Sequence, residues 1–162
     1  MKMLIMIAAV GRNNELGYNE KLIWHLKEDM KFFRDQTINH HVLMGKTTFF
    51  SLPDLLEDRE HIILSKKNDI YIKEVSVVNS IEEFFEKSKY IDDDIYVIGG
   101  ASVYKSFIDK VDEIYLTKID DTKEADVFFP SFNEKLFRKR NIKEGCEDGI
   151  NYKIIRYRRK KG

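Results

Sequence analysis

Short apolar runs alternate with amphipathic segments along most of this chain. The apolar runs predict buried strands at 3–10, 41–44, 61–64, 75–78, 94–98 and 113–119. Helical spacing of apolar residues predicts helices at 26–36, 46–51, 80–89 and 101–108. The third of these helices opens on Ser80-Ile-Glu-Glu83, which has the form of a capping box. Residues 11–23, between the first strand and the first helix, are interpreted as a long polar loop.

The end of the chain has a different pattern. Residues 136–143 and 151–158 flank a glycine-containing turn at 145–149, which predicts a terminal hairpin. Strands separated by helices predict parallel crossovers, and the hairpin adds antiparallel strands at one edge. The chain is therefore expected to be an α/β protein with a mixed sheet flanked by helices. Its length of 162 residues fits one domain spanning 1–162.

Composition and charge exclude several classes of partner. The 28 Lys and Arg residues balance 28 Asp and Glu residues, so no overall field favours nucleic acid or an anionic membrane. The basic run at 156–161 is interpreted as a solvated tail beyond the last strand, with a nucleic-acid patch as the alternative. The single Cys146 cannot form an internal disulfide, which fits a reducing cytoplasm. No stretch is apolar enough to span a membrane, and the apolar start is interpreted as a strand rather than a signal peptide.

The stretch after the second strand suggests phosphate binding. Gly45, Lys46 and Thr47 resemble the end of a P-loop, but that motif needs a glycine where His40 stands. A P-loop nucleotide kinase is therefore excluded. The backbone amides at a helix start beside Lys46, Thr47 and Thr48 can still hold an anion.

A second strand-to-helix turn has similar properties. Gly99 and Gly100 separate the strand ending at Ile98 from a helix starting at Ala101, which allows a ligand to approach the backbone closely. The dinucleotide pattern Gly-x-Gly-x-x-Gly is not present, and a plain tight turn is the alternative. Together, two such turns at the carboxyl ends of strands suit the two ends of a dinucleotide.

One acidic residue lies beside an apolar helix face. Leu26, Met30 and Phe33 form that face, and Asp29 lies on its edge. A carboxylate among apolar side chains loses hydration, which suggests a functional role; a helix-surface Asp reaching toward water is the alternative.

Three further features concern single residue types. Thr117, on the last strand before the hairpin, could hold a buried carboxylate, although β-propensity also explains it. Trp24, the only tryptophan, could simply pack in the core. The four histidines show no metal-binding spacing, so no metal is expected.

The order of these segments resembles one family. "IAAV", "WHLKEDMKFF", "MGKTTF", "IILS", "YVIGGASVY", "IYLTKID" and "ADVFFP" are similar to segments of dihydrofolate reductases of the bacterial chromosomal type, from Met3 to Tyr157. The resemblance implies a mostly parallel eight-stranded sheet flanked by helices. It implies an enzyme that transfers hydride from NADPH to C6 of 7,8-dihydrofolate and a proton to N5. The tetrahydrofolate product would supply one-carbon metabolism and thymidylate synthesis.

The resemblance also assigns residues. Asp29 would hold the 2-amino group and ring nitrogen of the pterin with support from Thr117, while Trp24 and Leu22 would close loop 11–23 over the nicotinamide. Substrate contacts would come from Ile7, Ala8, Ala9, Asp29, Met30, Phe33, Arg34, Leu52, Leu56, Arg59, Ile98 and Thr117. NADPH contacts would come from Ala9, Leu16, Gly17, Gly45, Lys46, Thr47, Thr48, Leu64, Ser65, Lys66, Ile98, Gly99, Gly100, Ala101, Ser102, Val103 and Tyr104. The bond between Gly99 and Gly100 is expected to be cis.

The chain departs from the family pattern at two positions. Ile23 stands where proline usually precedes the tryptophan, and Lys46 replaces a common arginine. Two other functions remain open: a reductase of the same fold acting on a pyrimidine intermediate of riboflavin synthesis, and a non-catalytic NADPH-binding module. The expected partners are dihydrofolate and antifolate inhibitors, without nucleic acid or membrane, and the expected state is a monomer in the cytoplasm.

Overall fold

The computed structural model describes residues 2–19, 21–67 and 69–161. The strands are β1 (Leu4–Val10), β2 (Glu15–Tyr18), β3 (Lys21–Leu22), β4 (His41–Gly45), β5 (Glu60–Leu64), β6 (Val75–Val78), β7 (Ile95–Gly99), β8 (Glu113–Ile119), β9 (Val127–Phe128), β10 (Phe137–Glu147) and β11 (Ile150–Arg159). The helices are α1 (Lys27–Thr37), α2 (Lys46–Ser51), α3 (Ile81–Ser88) and α4 (Ala101–Phe107), and a single 3-10 turn spans Glu134–Leu136. The predicted bounds of α2, β6 and β8 agree with the structure residue for residue.

Eight of these strands form one sheet in the order β10-β11-β8-β1-β7-β4-β5-β6. β1 and β4 to β8 pair in parallel. β11 runs antiparallel to β8, and β10 runs antiparallel to β11 at the edge. The predicted mostly parallel sheet with a C-terminal antiparallel hairpin is confirmed.

Helices cover both faces of this sheet. Met6 of β1 is fully buried in a cluster that includes Phe84 of α3 and Phe107 of α4. Its neighbour Ile5 belongs to a second cluster, which includes Phe49 of α2. Because successive side chains of a strand point to opposite faces, the two clusters lie on the two sides of the sheet.

The start of α3 follows the predicted capping pattern with one difference. The Ser80 hydroxyl accepts a hydrogen bond from the Glu83 amide at 3.0 Å. The Glu83 carboxylate accepts from the amide of Asn79 at 3.2 Å, one residue earlier than a standard capping box requires. Both side chains still satisfy backbone donors at the helix start.

The prediction that 11–23 is entirely loop is wrong. β2 and β3 lie within it and form a second, three-stranded sheet with β9 in the order β3-β2-β9. Gly17 pairs with both Leu22 and Val127. These strands are two to four residues long and lack a clear apolar alternation, so their backbone pairing leaves little trace in the sequence.

The predicted turn of the terminal hairpin is too long. β10 continues through Gly145 to Glu147, and the chain reverses at Asp148 and Gly149, whose φ angles are +51° and +79°. Two residues with positive φ form the turn that fits the twist of a hairpin. Cys146 therefore lies on β10, where it is exposed, and not in the turn.

The basic run at the C-terminus is also not a free tail. Tyr157, within it, is fully buried, and β11 continues to Arg159. Arg158 pairs with the buried carboxylate of Glu113 at 2.8 Å, and Arg159 Nε donates to the carbonyl of Val111 at 2.8 Å. Two of the five basic residues in this run, Arg158 and Arg159, thus stabilise the sheet and the turn after α4.

Candidate active site

Two strand-to-helix turns lie side by side at the carboxyl ends of two central strands of the sheet. β4 and β7 are parallel neighbours, with Met44 paired to Gly99, and α2 and α4 begin directly after them. A Cβ atom added at Gly45 would lie 3.0 Å from Val103, and one added at Gly100 would lie 3.1 Å from the Thr48 hydroxyl. The two turns therefore touch, and a side chain at Gly45 or Gly100 would force a neighbouring side chain to shift. The Gly99–Gly100 bond is cis, as predicted.

Charged and polar groups lie at the start of α2 and in the segment that follows β5. The ammonium of Lys46 forms an ion pair with Asp69, a residue that sequence reasoning missed. The Asn79 side chain donates to the Ser65 carbonyl at 2.8 Å, and the Ser65 hydroxyl donates to the Lys67 carbonyl at 3.1 Å. The segment after β5 is thereby fixed next to the first turn of α2.

Most of the remaining residues assigned to the cofactor lie on α2, α4, β5 and β2. Ala101 and Ser102 form the first turn of α4, and Leu64 ends β5. Leu16 and Gly17 lie on β2, where the Leu16 side chain is buried in the main apolar cluster. The exposed Thr47 side chain projects from α2.

Asp29 lies on the first turn of α1 and faces β8. The buried hydroxyl of Thr117 donates a hydrogen bond to Asp29 Oδ1 at 2.5 Å. Burial raises the pKa of the Asp29 carboxyl above its ordinary value, and the hydrogen bond from Thr117 offsets part of that rise. The site therefore contains a carboxylate whose charged form is poorly solvated and whose orientation is held by the Thr117 hydroxyl.

β1 forms the floor next to this pair. Ala9 is the register partner of Thr117. The buried hydroxyl of Tyr104, on α4, donates to the carbonyl of Ile7 at 2.7 Å. Burial, with a contribution from the charge of Asp29, raises the pKa of Tyr104, so this phenol stays a neutral donor. Tyr104 thus joins the glycine turn of β7 to the strand beside Asp29.

The two residues predicted to close the loop have different surroundings. Trp24 is 9% exposed, and its indole Nε1 donates to the Asp121 carboxylate at 3.0 Å. The side chain of Leu22, on β3, is 66% exposed. The structure therefore brings Trp24 into the core and leaves Leu22 in solvent.

A largely apolar wall continues from Asp29 along α1. Phe33, Leu52, Leu56 and Ile98 are partly buried in the cluster that also contains Ile7. Met30 is 55% exposed, although the helical pattern placed it on the apolar face. An exposed methionine beside a partly buried apolar cluster is consistent with a ligand-binding surface.

Arg59 lies at the far end of this wall. Its Nε donates to the Thr37 hydroxyl at 3.2 Å, and one Nη donates to the Glu57 carbonyl at 2.9 Å. Burial lowers the pKa of Arg59, and the positive charge of the nearby Arg34 lowers it further. Two guanidinium groups in proximity favour the binding of an anion.

His61 supports this end of the site, a role that no local pattern in the sequence indicates. Its buried ring accepts a hydrogen bond at Nε2 from the amide of Leu56 at 3.0 Å. Burial lowers the pKa of His61, so the ring stays neutral and able to accept. His61 therefore fixes the backbone just before Arg59.

Within residues 2–19, 21–67 and 69–161, no group of three or more His, Cys, Asp or Glu side chains is arranged to hold a metal ion. Across the same residues, no helix is long and apolar enough to cross a membrane.

Comparisons with known proteins agree with this geometry. The family model described as dihydrofolate reductase matches residues 3–159. The dihydrofolate reductase of Buchnera aphidicola subsp. Acyrthosiphon pisum is 35% identical over 144 residues, covering 85% of this chain and 88% of the relative. That of Bacillus subtilis is 30% identical over 161 residues, covering 98% and 95%.

A solved structure is similar over the same length. Dihydrofolate reductase from Enterococcus faecalis, in complex with NADP(H) and RAB-propyl, superposes with a TM-score of 0.91 at 30% identity. The match covers 98% of this chain and 97% of the other. On the family model, the relatives and the fold together, this chain belongs to the dihydrofolate reductase family.

Proposed function

We propose that Asp29 and Thr117 form the catalytic centre for the reaction of this family, the NADPH-dependent reduction of 7,8-dihydrofolate to tetrahydrofolate. The hydrogen bond between them carries the proposal. It orients a carboxylate whose raised pKa reflects poor solvation, next to an apolar wall that suits a flat heterocycle. An ordinary surface carboxylate has neither a raised pKa nor an apolar surface beside it.

The paired glycine turns fit a dinucleotide. Gly45 and Gly100 allow backbone contact, and the starts of α2 and α4 direct amide groups toward a diphosphate. Lys46, Ser65 and Lys66 would hold the adenosine 2′-phosphate. When bound there, NADPH supplies the hydride for C6.

Asp29 would act by binding and polarising the pterin. Its ionised carboxylate accepts hydrogen bonds from the 2-amino group and the ring nitrogen, which draws electron density toward N5 and favours a proton there. Thr117 would hold the carboxylate and bridge to the same amino group. Because Asp29 lies on the opposite side of the pterin from N5, a water beneath loop 11–23 would deliver the proton.

Loop 11–23 would control access of solvent. Trp24 would border the nicotinamide position, and Leu22, which is exposed here, would cover it as the loop closes. Closure excludes bulk water and strengthens electrostatic interactions within the site.

We infer the coarser properties from the same observations. Residues 1–162 would act as a single domain around one eight-stranded sheet, and the protein would be a cytoplasmic monomer. Antifolate inhibitors would occupy the wall from Asp29 to Leu56, where an apolar surface leads to a carboxylate. Neither nucleic acid nor membrane would be a partner, because positive and negative charges balance.

One assay separates this function from its alternatives. Purified protein should oxidise NADPH only when dihydrofolate is present, and NADH should support a lower rate. Oxidation driven instead by a pyrimidine intermediate of riboflavin synthesis would support the other reductase. Tight NADPH binding without turnover on either substrate would support a binding module.

Arg59 offers a second test because it would bind substrate rather than take part in chemistry. A guanidinium paired with the glutamate carboxylate interacts equally in ground and transition states. Arg59→Ala should raise KM for dihydrofolate on the order of tenfold or more with a small change in kcat. A pterin that lacks the glutamate should be reduced equally by both proteins. Equal loss on that truncated substrate would make Arg59 structural.

A further inference from the structure

A second buried acid lies outside the proposed chemistry. Glu15, at the start of β2, is only 2% exposed. It falls in the segment that the sequence pattern classified as polar loop, and none of the proposed steps uses it. A buried carboxylate costs free energy unless its environment compensates, so its hydrogen bonds indicate what it does.

The Glu15 carboxylate joins two distant parts of the chain. One oxygen accepts from the amide of Asn13 at 2.6 Å, and the other accepts from the amide of Lys123 at 3.0 Å. Lys123 belongs to the segment 120–124 that follows β8. One side chain therefore fixes the turn before β2 against this segment.

The same segment holds Trp24. The Asp121 carboxylate accepts from the Trp24 indole at 3.0 Å and from the amide of Thr122 at 2.9 Å. The backbone carbonyl of Asp121 accepts from the amide of Arg12 at 2.9 Å. The position of segment 120–124 thus decides where the indole is anchored.

Gly11 shows how closely these groups approach one another. A Cβ atom there would lie 2.4 Å from Trp24 Cη2, 2.6 Å from Glu15 Oε1 and 2.9 Å from the Asp121 carbonyl. The indole, the buried carboxylate and segment 120–124 meet at this one glycine. A shift of Glu15 would therefore disturb the packing around Gly11, in which the indole of Trp24 takes part.

Glu15 keeps its charge in this position. Burial by itself raises the pKa of Glu15, but hydrogen bonds from the amides of Lys123, Glu15 itself and Asn13 outweigh it, and the pKa is lowered overall. At neutral pH both oxygens are therefore ionised acceptors, which form stronger hydrogen bonds than neutral ones.

We propose that Glu15 is a positioning residue, which fixes the indole of Trp24 beside the active site by holding segment 120–124 against Gly11. This inference rests on the proposed function for the role of Trp24 next to the nicotinamide. The contacts that carry it are independent of the substrate. Loss of this link would displace the indole without removing any group that touches substrate or cofactor.

Glu15→Gln is the first test, because glutamine keeps the volume but turns one acceptor oxygen into a donor. Trp24 is the only tryptophan, so intrinsic fluorescence reports on its surroundings alone. We expect a red-shifted emission, greater quenching by acrylamide, and a hydride-transfer rate reduced roughly tenfold. KM for dihydrofolate should change less than kcat. Glu124→Gln, an exposed acid in the same segment, should match wild type in every measurement.

A second pair of variants tests the link without changing Glu15. Lys123→Pro removes the donated N–H, whereas Lys123→Ala keeps it and removes only the exposed side chain. Lys123→Pro should reproduce the fluorescence and rate changes of Glu15→Gln, and Lys123→Ala should not. If Glu15→Gln fails to fold, these two variants still test whether the link between Glu15 and Lys123 positions Trp24.

The outcomes separate the inference from the proposed function. Unchanged Trp24 fluorescence in folded Glu15→Gln and Lys123→Pro proteins would overturn the inference. Altered fluorescence with wild-type turnover would also overturn it, since Glu15 would then be structural only. Wild-type protein that fails to reduce dihydrofolate would overturn the proposed function, while the fluorescence comparison would still decide whether Glu15 positions Trp24.

Discussion

Asp29 and Glu15 are both carboxylates taken out of water, yet their pKa values move in opposite directions. Glu15 is the less solvent-exposed of the two, but its pKa is lowered because backbone amides donate to it. Asp29 has more exposed surface, but burial raises its pKa and the single hydroxyl of Thr117 only partly offsets that rise. Solvent exposure alone therefore does not decide the charge state of these two acids.

The difference lies in the hydrogen-bond donors. Glu15 accepts from backbone amides on both oxygens, and a backbone amide cannot rotate away as a hydroxyl can. Asp29 accepts from the hydroxyl of Thr117, and burial outweighs this bond. The Glu15 carboxylate therefore connects two segments of the chain, whereas the Asp29 carboxylate can still accept from a ligand that brings its own donors.

The two acids therefore have opposite effects on stability. A lowered folded-state pKa means that ionised Glu15 stabilises the protein above its unfolded pKa, and this contribution is lost as pH falls through the folded value. A raised folded-state pKa means that Asp29 is destabilising once pH exceeds its unfolded value. Asp29 lowers the stability of the fold at neutral pH, which is a common property of functional sites.

Among the variants of these two acids, Asp29→Asn should change activity the most. Asp29→Asn keeps the shape and the acceptor for Thr117 but removes the charge that polarises the pterin. Turnover near neutral pH should fall on the order of 10²- to 10⁴-fold, with partial recovery in acid, where dihydrofolate is protonated by solvent. The measurement is the pH profile of hydride transfer under single-turnover conditions.

Glu28→Gln is the matched control for that experiment. Glu28 is the preceding residue on α1 and forms a surface ion pair with Lys143 at 2.7 Å. Its loss should leave the pH profile unchanged, because exposed ion pairs contribute little. An Asp29→Asn protein with wild-type rates at neutral pH would contradict the mechanism and leave only the fold.

A smaller effect should appear in the stability of Glu15→Gln. Loss of charge-assisted hydrogen bonds to buried amides costs about 1.5–3 kcal/mol, or several degrees in Tm at pH 7. The difference from wild type should shrink as pH falls below ~4.3, the unfolded value for Glu, because the wild-type carboxyl then becomes protonated as well. Thermal melts from pH 3 to 8 measure it. A Tm difference between the two proteins that stays constant over this range would mean that the charge of Glu15 does not contribute to stability.

Asp29→Asn should change Tm in the opposite direction in the same experiment. Removing a poorly solvated charge should raise Tm at pH 7 by roughly a few degrees, and the gain should vanish near ~3.9, the unfolded value for Asp. The same melts from pH 3 to 8 measure it. A lower Tm at neutral pH would show that Asp29 is well solvated in the folded protein.

The comparison also explains what could be predicted from the sequence. Asp29 was identified because helical spacing relates it to Leu26, Met30 and Phe33, and the glycine turns because glycine marks close approach. These signals are local in the chain. Glu15 depends on an amide 108 residues away, so nothing near it in the sequence distinguishes it from a loop glutamate.

Contacts that leave no local pattern in the sequence also explain why Asp69, His61 and the short strands were not predicted. Asp69 was missed because its partner Lys46 is brought near by the packing of β4 on β5, and His61 because it accepts from a backbone amide that any residue would carry. The short strands β3 and β9 depend on pairing with β2, and not on their own composition. Local patterns predicted the main strands, the helices and one apolar face of α1. The family resemblance supplied Leu52, Leu56 and Ile98 of the apolar wall, whereas contacts between loops required the structure.

Thr117→Val, which removes the hydroxyl that donates to Asp29, should have the smallest effect of these variants. The Thr117 hydroxyl lowers the pKa of Asp29, so Thr117→Val should raise that pKa further and shift the pH profile of hydride transfer toward alkaline pH. We expect a small shift, because burial, which remains in the variant, is the larger cause of the raised pKa of Asp29. Thr117→Ser keeps the hydroxyl and should leave the profile at its wild-type position. If Thr117→Val lowers the rate at all pH values without moving the profile, the hydroxyl orients Asp29 but does not adjust its charge. The contrast with Glu15 would then depend on the apolar surroundings of Asp29 alone.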